Sequence, residues 1–278
     1  MSKDLRDVIG RVLPAPENNL SAEKHEQARK ARRSFMGKAL AMGAGVAAAA
    51  KAGAAQAAEG EDAILTLPEH TKGLGLPVAM NPYGLPSKWE AALQRRESPG
   101  LTRVPQASVS FTPLQGLFGI ITPSGLHFER HHQGWWDIDP SKHRLMINGM
   151  VKRQRVFTMD DLMRLPSVSR IHFIECGANS ATEWGNVAVS SVQYSHGMLS
   201  CSEFTGVLLS TLLEMCGYDK KNAKVVLAEG ADGSSMTRTI DIERAMDDCI
   251  VAWAMNGEML RPENGYPLRL VVPGVQGV

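Results

Sequence analysis

The chain has 278 residues, 44% of them hydrophobic and 21% charged, a globular composition that excludes a disordered, collagen-like or coiled-coil protein. Thirty basic against twenty-nine acidic side chains leave a formal charge of +1, without the strong basic excess of a nucleic-acid binder. The balance hides an asymmetry. Residues 1–57 carry ten Lys or Arg against five Asp or Glu, a net +5, and the remainder carries twenty against twenty-four, a net −4.

The basic end reads as a targeting segment. Arg32 and Arg33 open the run RRSFMGK, and residues 39–50 (ALAMGAGVAAAA) form an uncharged stretch of twelve small or apolar residues. As a helix it would be roughly 18 Å long against about 30 Å of bilayer hydrocarbon, too short for a stable membrane anchor. Ala55-Gln56-Ala57 then offers a small-x-small site for cleavage before Ala58. The order of these features is similar to a twin-arginine export signal, whose route carries folded proteins; it predicts a periplasmic protein that acquires a complex cofactor before export.

Residues 58–124 are rich in Pro and Gly and show no sustained period, which predicts an extended arm, followed by one domain over 125–278. Within that domain 144–148 and 151–157 read as a hairpin about Asn148-Gly149. Thr158 and Asp161 have capping-box spacing for a short helix closed by Pro166. A strand over 170–175 runs into Cys176, and Gly177-Ala178-Asn179-Ser180 is turn chemistry. Thr211 and Glu214 predict the start of a second helix, with Gly217 at its end. Strands are expected over 223–228, 235–240, 250–255 and 268–272, with a tight turn at Asn256-Gly257. Connections this short suit a mixed or antiparallel sheet, so the fold class is α+β.

Four cysteines, Cys176, Cys201, Cys216 and Cys249, are too few for a disulfide framework, and none forms a C-x-x-C pair. Cys201, Cys216 and Cys249 read as buried thiols or as part of a structural disulfide. Cys176 stands apart, because a strand end fixes its sulfur while the following loop leaves room for a ligand. Read alone it could be one more buried thiol, or a nucleophile needing a nearby base, for which His172 on the same strand face is the candidate.

The run RIHFIECGANS resembles the molybdenum-binding segment of the sulfite oxidase superfamily, in which the Cys of a C-x-x-N loop binds molybdenum carried by molybdopterin. Further motifs follow in the family's order over about 110–278. FERHHQ at 128–133 is similar to F-x-R-N-H, which implies that Arg130 lines an anion pocket and His132 contacts the pterin, with His131 at the Asn position. Without the Cys176 loop the same run would read as a basic surface turn or a His metal site. AEGADGSS resembles the family's E-G-x-D segment and implies Asp232 as an acceptor for a pterin amine, where it would otherwise be an ordinary turn. RPENGYPLR is similar to R-x-H-G-[FY]-P-x-R: Asn264 stands at the His position and Arg269 at the phosphate-pairing Arg, which read alone could be an edge-strand residue. The stretches IECGANSATEWGN and VQYSHGMLSCSEFTGV narrow the resemblance to the sulfane dehydrogenase branch of the bacterial Sox system, and add His196 and Ser200 as secondary cofactor-side candidates.

The resemblance implies a molybdopterin-binding domain with a mixed sheet, a molybdenum centre on Cys176, and oxidation of sulfane sulfur carried as a persulfide on a SoxYZ-like protein. No C-x-x-C-H haem site occurs, so the electrons would pass to a separate c-type cytochrome, SoxD-like by resemblance. The family continues beyond PGVQGV with a further basic pterin contact, a Tyr and a dimerisation domain. It therefore implies a truncated chain that forms a homo-oligomer or heterotetramer at full length. A dehydrogenase of free sulfite, a reductase of oxidised methionine and a metal-free exported binding protein are the alternatives.

Overall fold

The computed structural model describes residues 82–98, 106–185, 191–232 and 234–277, together with 73–75, Glu26 and Lys30. The export signal expected over residues 1–57 lies outside the described residues except for Glu26 and Lys30. Among the described residues no helix is long and apolar enough to cross a membrane. The chain divides into two units, Met1–Met80 and Asn81–Val278, and every element below belongs to the second.

The segment ahead of residue 125 supplies the first two strands. β1 (Arg96–Glu97) and β2 (Val109–Phe111) pair antiparallel with each other, and β2 pairs with β3 (Glu129–Arg130). Val109 and Phe111 are buried among Phe128, Ile174 and Phe204, so 106–124 contributes to the core of this unit. A hairpin follows, β4 (Leu145–Ile147) with β5 (Arg155–Phe157). Its second strand begins four residues later than the sequence pattern suggests, because Val151 bridges to Tyr218 instead.

Thr158 caps α1 (Met159–Met163) with the expected reciprocal bonds. Its hydroxyl oxygen accepts from Asp161 N at 3.1 Å, and an Asp161 carboxylate oxygen accepts from Thr158 N at 2.9 Å. β6 (Ser167–Glu175) then runs for nine residues, and all nine pair antiparallel with β7 (Leu199–Leu208) after the short helix α2 (Val192–His196). From β7 the chain turns directly into α3 (Leu209–Cys216), which Gly217 ends. Thr211 therefore lies inside this helix: the preceding strand delivers the chain to Leu208, and no side chain caps the start.

β8 (Val225–Glu229) and β9 (Thr237–Asp241) form a two-stranded ribbon, followed by α4 (Ile242–Asp247). β10 (Ile250–Met255) pairs with β7, with β11 (Glu258–Met259) through the Asn256-Gly257 turn, and with β12 (Arg269–Val271). Asn256 and Gly257 both have positive φ, 53° and 80°, as a tight hairpin whose twist matches its strands requires. Every pairing among the described strands is antiparallel.

β10 is buried on both faces, which explains its unbroken apolar sequence IVAWAM. Val251 and Trp253 enter one core with Leu162, Val207 and Leu212; Ile250, Ala252 and Met255 enter the other with Phe111, Ile174 and Phe204. A bulge between Ala252 and Ala254 shifts the phase of the alternation, so that Met255 joins Ile250 and Ala252 in the same core.

β7 and β10 approach closely at Gly206, where an added Cβ would stand 2.2 Å from Val251 O and 2.5 Å from Ala252 Cα. Both obstructing atoms are backbone. Gly206→Ala is expected to lower stability by about 3 kcal/mol or more, since the two strands must separate to admit one methyl group; urea unfolding measures it, and a loss below about 1 kcal/mol would show that the strands yield.

Candidate active site

The sulfur of Cys176 stands where β6 ends. Cys176 N donates to Met198 O at 3.0 Å, which carries the strand pairing one step past Glu175, and Asn179 N donates back to Cys176 O at 2.9 Å to close the turn. The Asn179 carboxamide braces this turn from both ends: its Nδ2 donates to Glu175 Oε1 at 3.1 Å, and its Oδ1 accepts from Met198 N at 3.1 Å. The C-x-x-N spacing thus has a local cause, since the amide three residues on locks the loop that presents the thiol. Cys176 is a free, half-buried cysteine; Cys201, Cys216 and Cys249 are free and buried, and none forms a disulfide. Burial pushes the thiols of Cys201 and Cys216 up and that of Cys249 up to about 11, which keeps those three inert.

Cys176 opens into a cleft of about 1330 Å³ whose wall also includes Arg130, His132, Asp232, Asn264 and Arg269. Six of the eight side chains read from the sequence therefore meet at one place, although they come from β3, the β6 exit, the β8–β9 connection, the 3-10 turn Pro262–Asn264 and β12. Arg130 is exposed on the cleft and bonds the His131 carbonyl. His132 is exposed at the rim, where partial burial first, and then Arg130 and Arg238, push its pKa down. Asp232 accepts from Ser234 Oγ at 2.9 Å.

The deep end of the cleft is polar and unpaired. Asn264 is 1% exposed, and neither its Oδ1 nor its Nδ2 has a hydrogen-bond partner in the structure. Arg269 donates from Nη1 to Asn264 O at 3.0 Å and has no carboxylate partner among the described residues. Loss of water lowers its pKa to about 10, so it keeps its charge at neutral pH. Orphaned buried polar groups of this kind cost about 1–3 kcal/mol each unless a ligand satisfies them.

His196 and Ser200, expected on the cofactor side, are not among the residues that line the cleft. Ser200 is buried in β7, where its Oγ shares a hydrogen bond with Thr112 Oγ1 at 2.7 Å and accepts from Phe128 N at 3.1 Å. It tacks the β3 segment to the sheet. His196 ends α2 with its ring Nδ1 2.8 Å from Ser195 Oγ and its Nε2 3.5 Å from Glu183 Oε1, half-exposed and away from the cleft. His172 is four residues from Cys176 along an extended strand, roughly 13 Å, which removes it as a base for a cysteine nucleophile.

Two cleft residues had no reading in the sequence. Arg238 on β9 lines the cleft and donates from Nε to Gly277 O at 3.1 Å. His127, directly ahead of the FERHH run, is 1% exposed. Its Nδ1 donates to Phe128 O at 2.8 Å, which leaves Nε2 unprotonated and without a partner. The position of His127 beside FERHH was its one available signal; Arg238 had none.

The donors fit an anionic, amide-bearing cofactor: a free thiol for a soft metal, an unneutralised guanidinium for a phosphate, and a carboxylate and a carboxamide for a heterocycle. Residues 132–278 match the family described as the oxidoreductase molybdopterin binding domain, and the chain belongs to that family, within the sulfite oxidase superfamily. The solved sulfane dehydrogenase SoxCD from Paracoccus pantotrophus is similar at 43% identity and a TM-score of 0.75, over 79% of this chain and 56% of that one. Curated relatives include the NADPH nitrate reductase of Phytophthora infestans, 33% identical over 58% of this chain, and the NADH nitrate reductase of Solanum lycopersicum, 36% identical over 59%. The chain spans about a fifth of the length of those two enzymes.

Burial first, and then the charge of Arg269, lower the His127 pKa from 6.5 to about 3. Between those values the unfolded chain binds the extra proton. Stability is therefore expected to fall as pH drops from 6.5 toward 3, by up to about 1.4 kcal/mol per pH unit. Urea unfolding at pH 4 to 7 should show a flatter dependence in His127→Gln; equal slopes would mean that water reaches the ring.

Proposed function

We infer that this chain is the molybdenum-bearing part of a periplasmic sulfane dehydrogenase, which oxidises carrier-bound sulfane sulfur and passes electrons to a c-type cytochrome. The observation that carries the reading is the free Cys176 thiol facing a cleft whose deep end holds the unpaired carboxamide of Asn264 and the unneutralised Arg269. Similarity to SoxCD over most of the chain favours sulfur chemistry. The group bound there would supply two-electron oxidation of sulfur with oxygen from water.

The protein's own part is positional. Cys176, held by the Asn179 brace, would offer its thiolate to the metal from a fixed direction. Arg269 would pair with the cofactor phosphate, Asn264 would satisfy its amide against the pterin, and Asp232 and His132 would hold the heterocycle at the outer end. Arg130, exposed at the same cleft, would orient the anionic sulfur substrate, a task that suits a permanently charged planar fork. A SoxYZ-like carrier and a SoxD-like cytochrome are the partners this reading requires, and residues 1–57 are its export signal.

Protein from a host competent for molybdopterin insertion should contain about one molybdenum per chain, and Cys176→Ser should retain less than about a tenth of it. Metal analysis with X-ray absorption of the sulfur ligation checks both; full metal in the Ser variant would refute the ligand assignment. Arg130→Gln is expected to raise KM for the anionic substrate about tenfold, the loss of one charge-assisted bond. Cytochrome reduction with persulfidated carrier, set beside free sulfite, decides the substrate. Reduction by sulfite without the carrier would make the chain a sulfite dehydrogenase.

The exported chain should begin near Ala58, and Arg32→Lys with Arg33→Lys should hold it in the cytoplasm. Mass spectrometry of the periplasmic fraction reads both, and an intact residue 1 there would remove the signal assignment.

A further inference from the structure

The cleft walls that carry Arg130 and Asn264 are not neighbours in sequence, and one cation from outside the cleft lining reaches both. Arg95, just ahead of β1, pairs through Nη1 with Glu129 Oε1 and donates from the same nitrogen to His127 O at 3.3 Å; its Nη2 lies 3.7 Å from Glu263 Oε1. Glu129 immediately precedes Arg130 on β3, and Glu263 immediately precedes Asn264 in the 3-10 turn. Glu129 uses its second oxygen to accept from His131 Nε2 at 3.0 Å.

The three charged side chains are 23%, 16% and 19% exposed, so their attraction is weakened by water far less than at an open surface. Burial lowers the Arg95 pKa, while Glu263 and Glu97 raise it and Arg261 lowers it. The guanidinium remains charged. Without it, Glu129 and Glu263 would lose the guanidinium that both of them face.

We propose that Arg95 is a positioning residue of the cofactor site: by bridging Glu129 and Glu263 it sets the separation of the wall that presents Arg130 from the turn that presents Asn264. The inference rests on the functional reading above. It adds a residue from the segment that the sequence suggests is only an arm, and it makes both acidic neighbours part of the site's frame.

The test uses full-length protein from a molybdopterin-competent host. Arg95→Gln should release molybdenum and pterin during dialysis at least about fivefold faster than the wild type. In the fraction that stays loaded, KM for the anionic sulfur substrate should rise about fivefold with kcat changed less than about twofold, because Arg130 is displaced while the metal ligand is not. A fold defect alone would lower the active fraction without moving KM. Arg95→Lys should recover part of the retention, since a cation again lies between the carboxylates. Glu263→Gln guards against misfolding of the Arg variant: it keeps the Arg95–Glu129 pair and should still speed release by about twofold or more.

Release rates and KM equal to the wild type in both Arg95→Gln and Glu263→Gln would overturn the proposal. A wild type without molybdenum would instead overturn the reading of the site itself, and is seen before any variant is made.

Discussion

The nine-residue antiparallel register between β6 and β7 is the constraint on which the site depends. It carries the chain to Glu175 with every step paired, and the bond from Cys176 N to Met198 O extends it to the residue whose sulfur matters. Asn179 then closes the loop against both strands. A strand end alone would leave the thiol on a free loop; a strand end with a braced turn holds it in one direction, which a metal ligand requires. The register is protected in turn by the close approach of Gly206 to β10, where any side chain would push the central strands apart.

Around that fixed sulfur the cleft is arranged as a gradient of solvation. Asn264 lies deep with its carboxamide unpartnered, Arg269 beside it is half-buried and has no carboxylate partner among the described residues, and Arg130 and His132 lie at the exposed end. Buried groups with unmet hydrogen-bonding capacity destabilise the empty chain and favour a ligand that completes them. His127 belongs to the same economy. Its ring is committed through Nδ1 to a backbone carbonyl, and it stays neutral beside Arg269, so it adds no second positive charge at the deep end. The walls are then tied by charge pairs that involve Arg95, a residue outside every motif.

Much of this was legible residue by residue. The Thr158 cap, the end of β6 at Cys176, the Asn256-Gly257 turn and the buried strand around 269–271 follow from local chemistry, and the structure has them. Thr211 misled because capping-box spacing is a local signal, and β7 overrode it by delivering the chain to the helix three residues earlier, with Leu208 at the cap position. Val151 misled because its strand pattern is satisfied by a single bridge to Tyr218, a contact between segments far apart in sequence. Ser200 and His196 stood next to family motifs, but Ser200 is bonded to Thr112 and Phe128 in the core and His196 faces Glu183, both outside the cleft lining.

By itself the sequence determined the strand end at Cys176 and the turn that presents its thiol, and it singled out the cationic and amide side chains on which the proposed molybdopterin site would draw, because each is written in a short motif whose chemistry is local. Only the tertiary structure decided which of those groups share one cleft and which are left unpaired, and that Glu129 and Glu263 meet one arginine from the leading segment. Those facts depend on contacts between residues tens to more than a hundred positions apart, which the folding of strands from both ends of the domain around a two-faced sheet creates and no local pattern records.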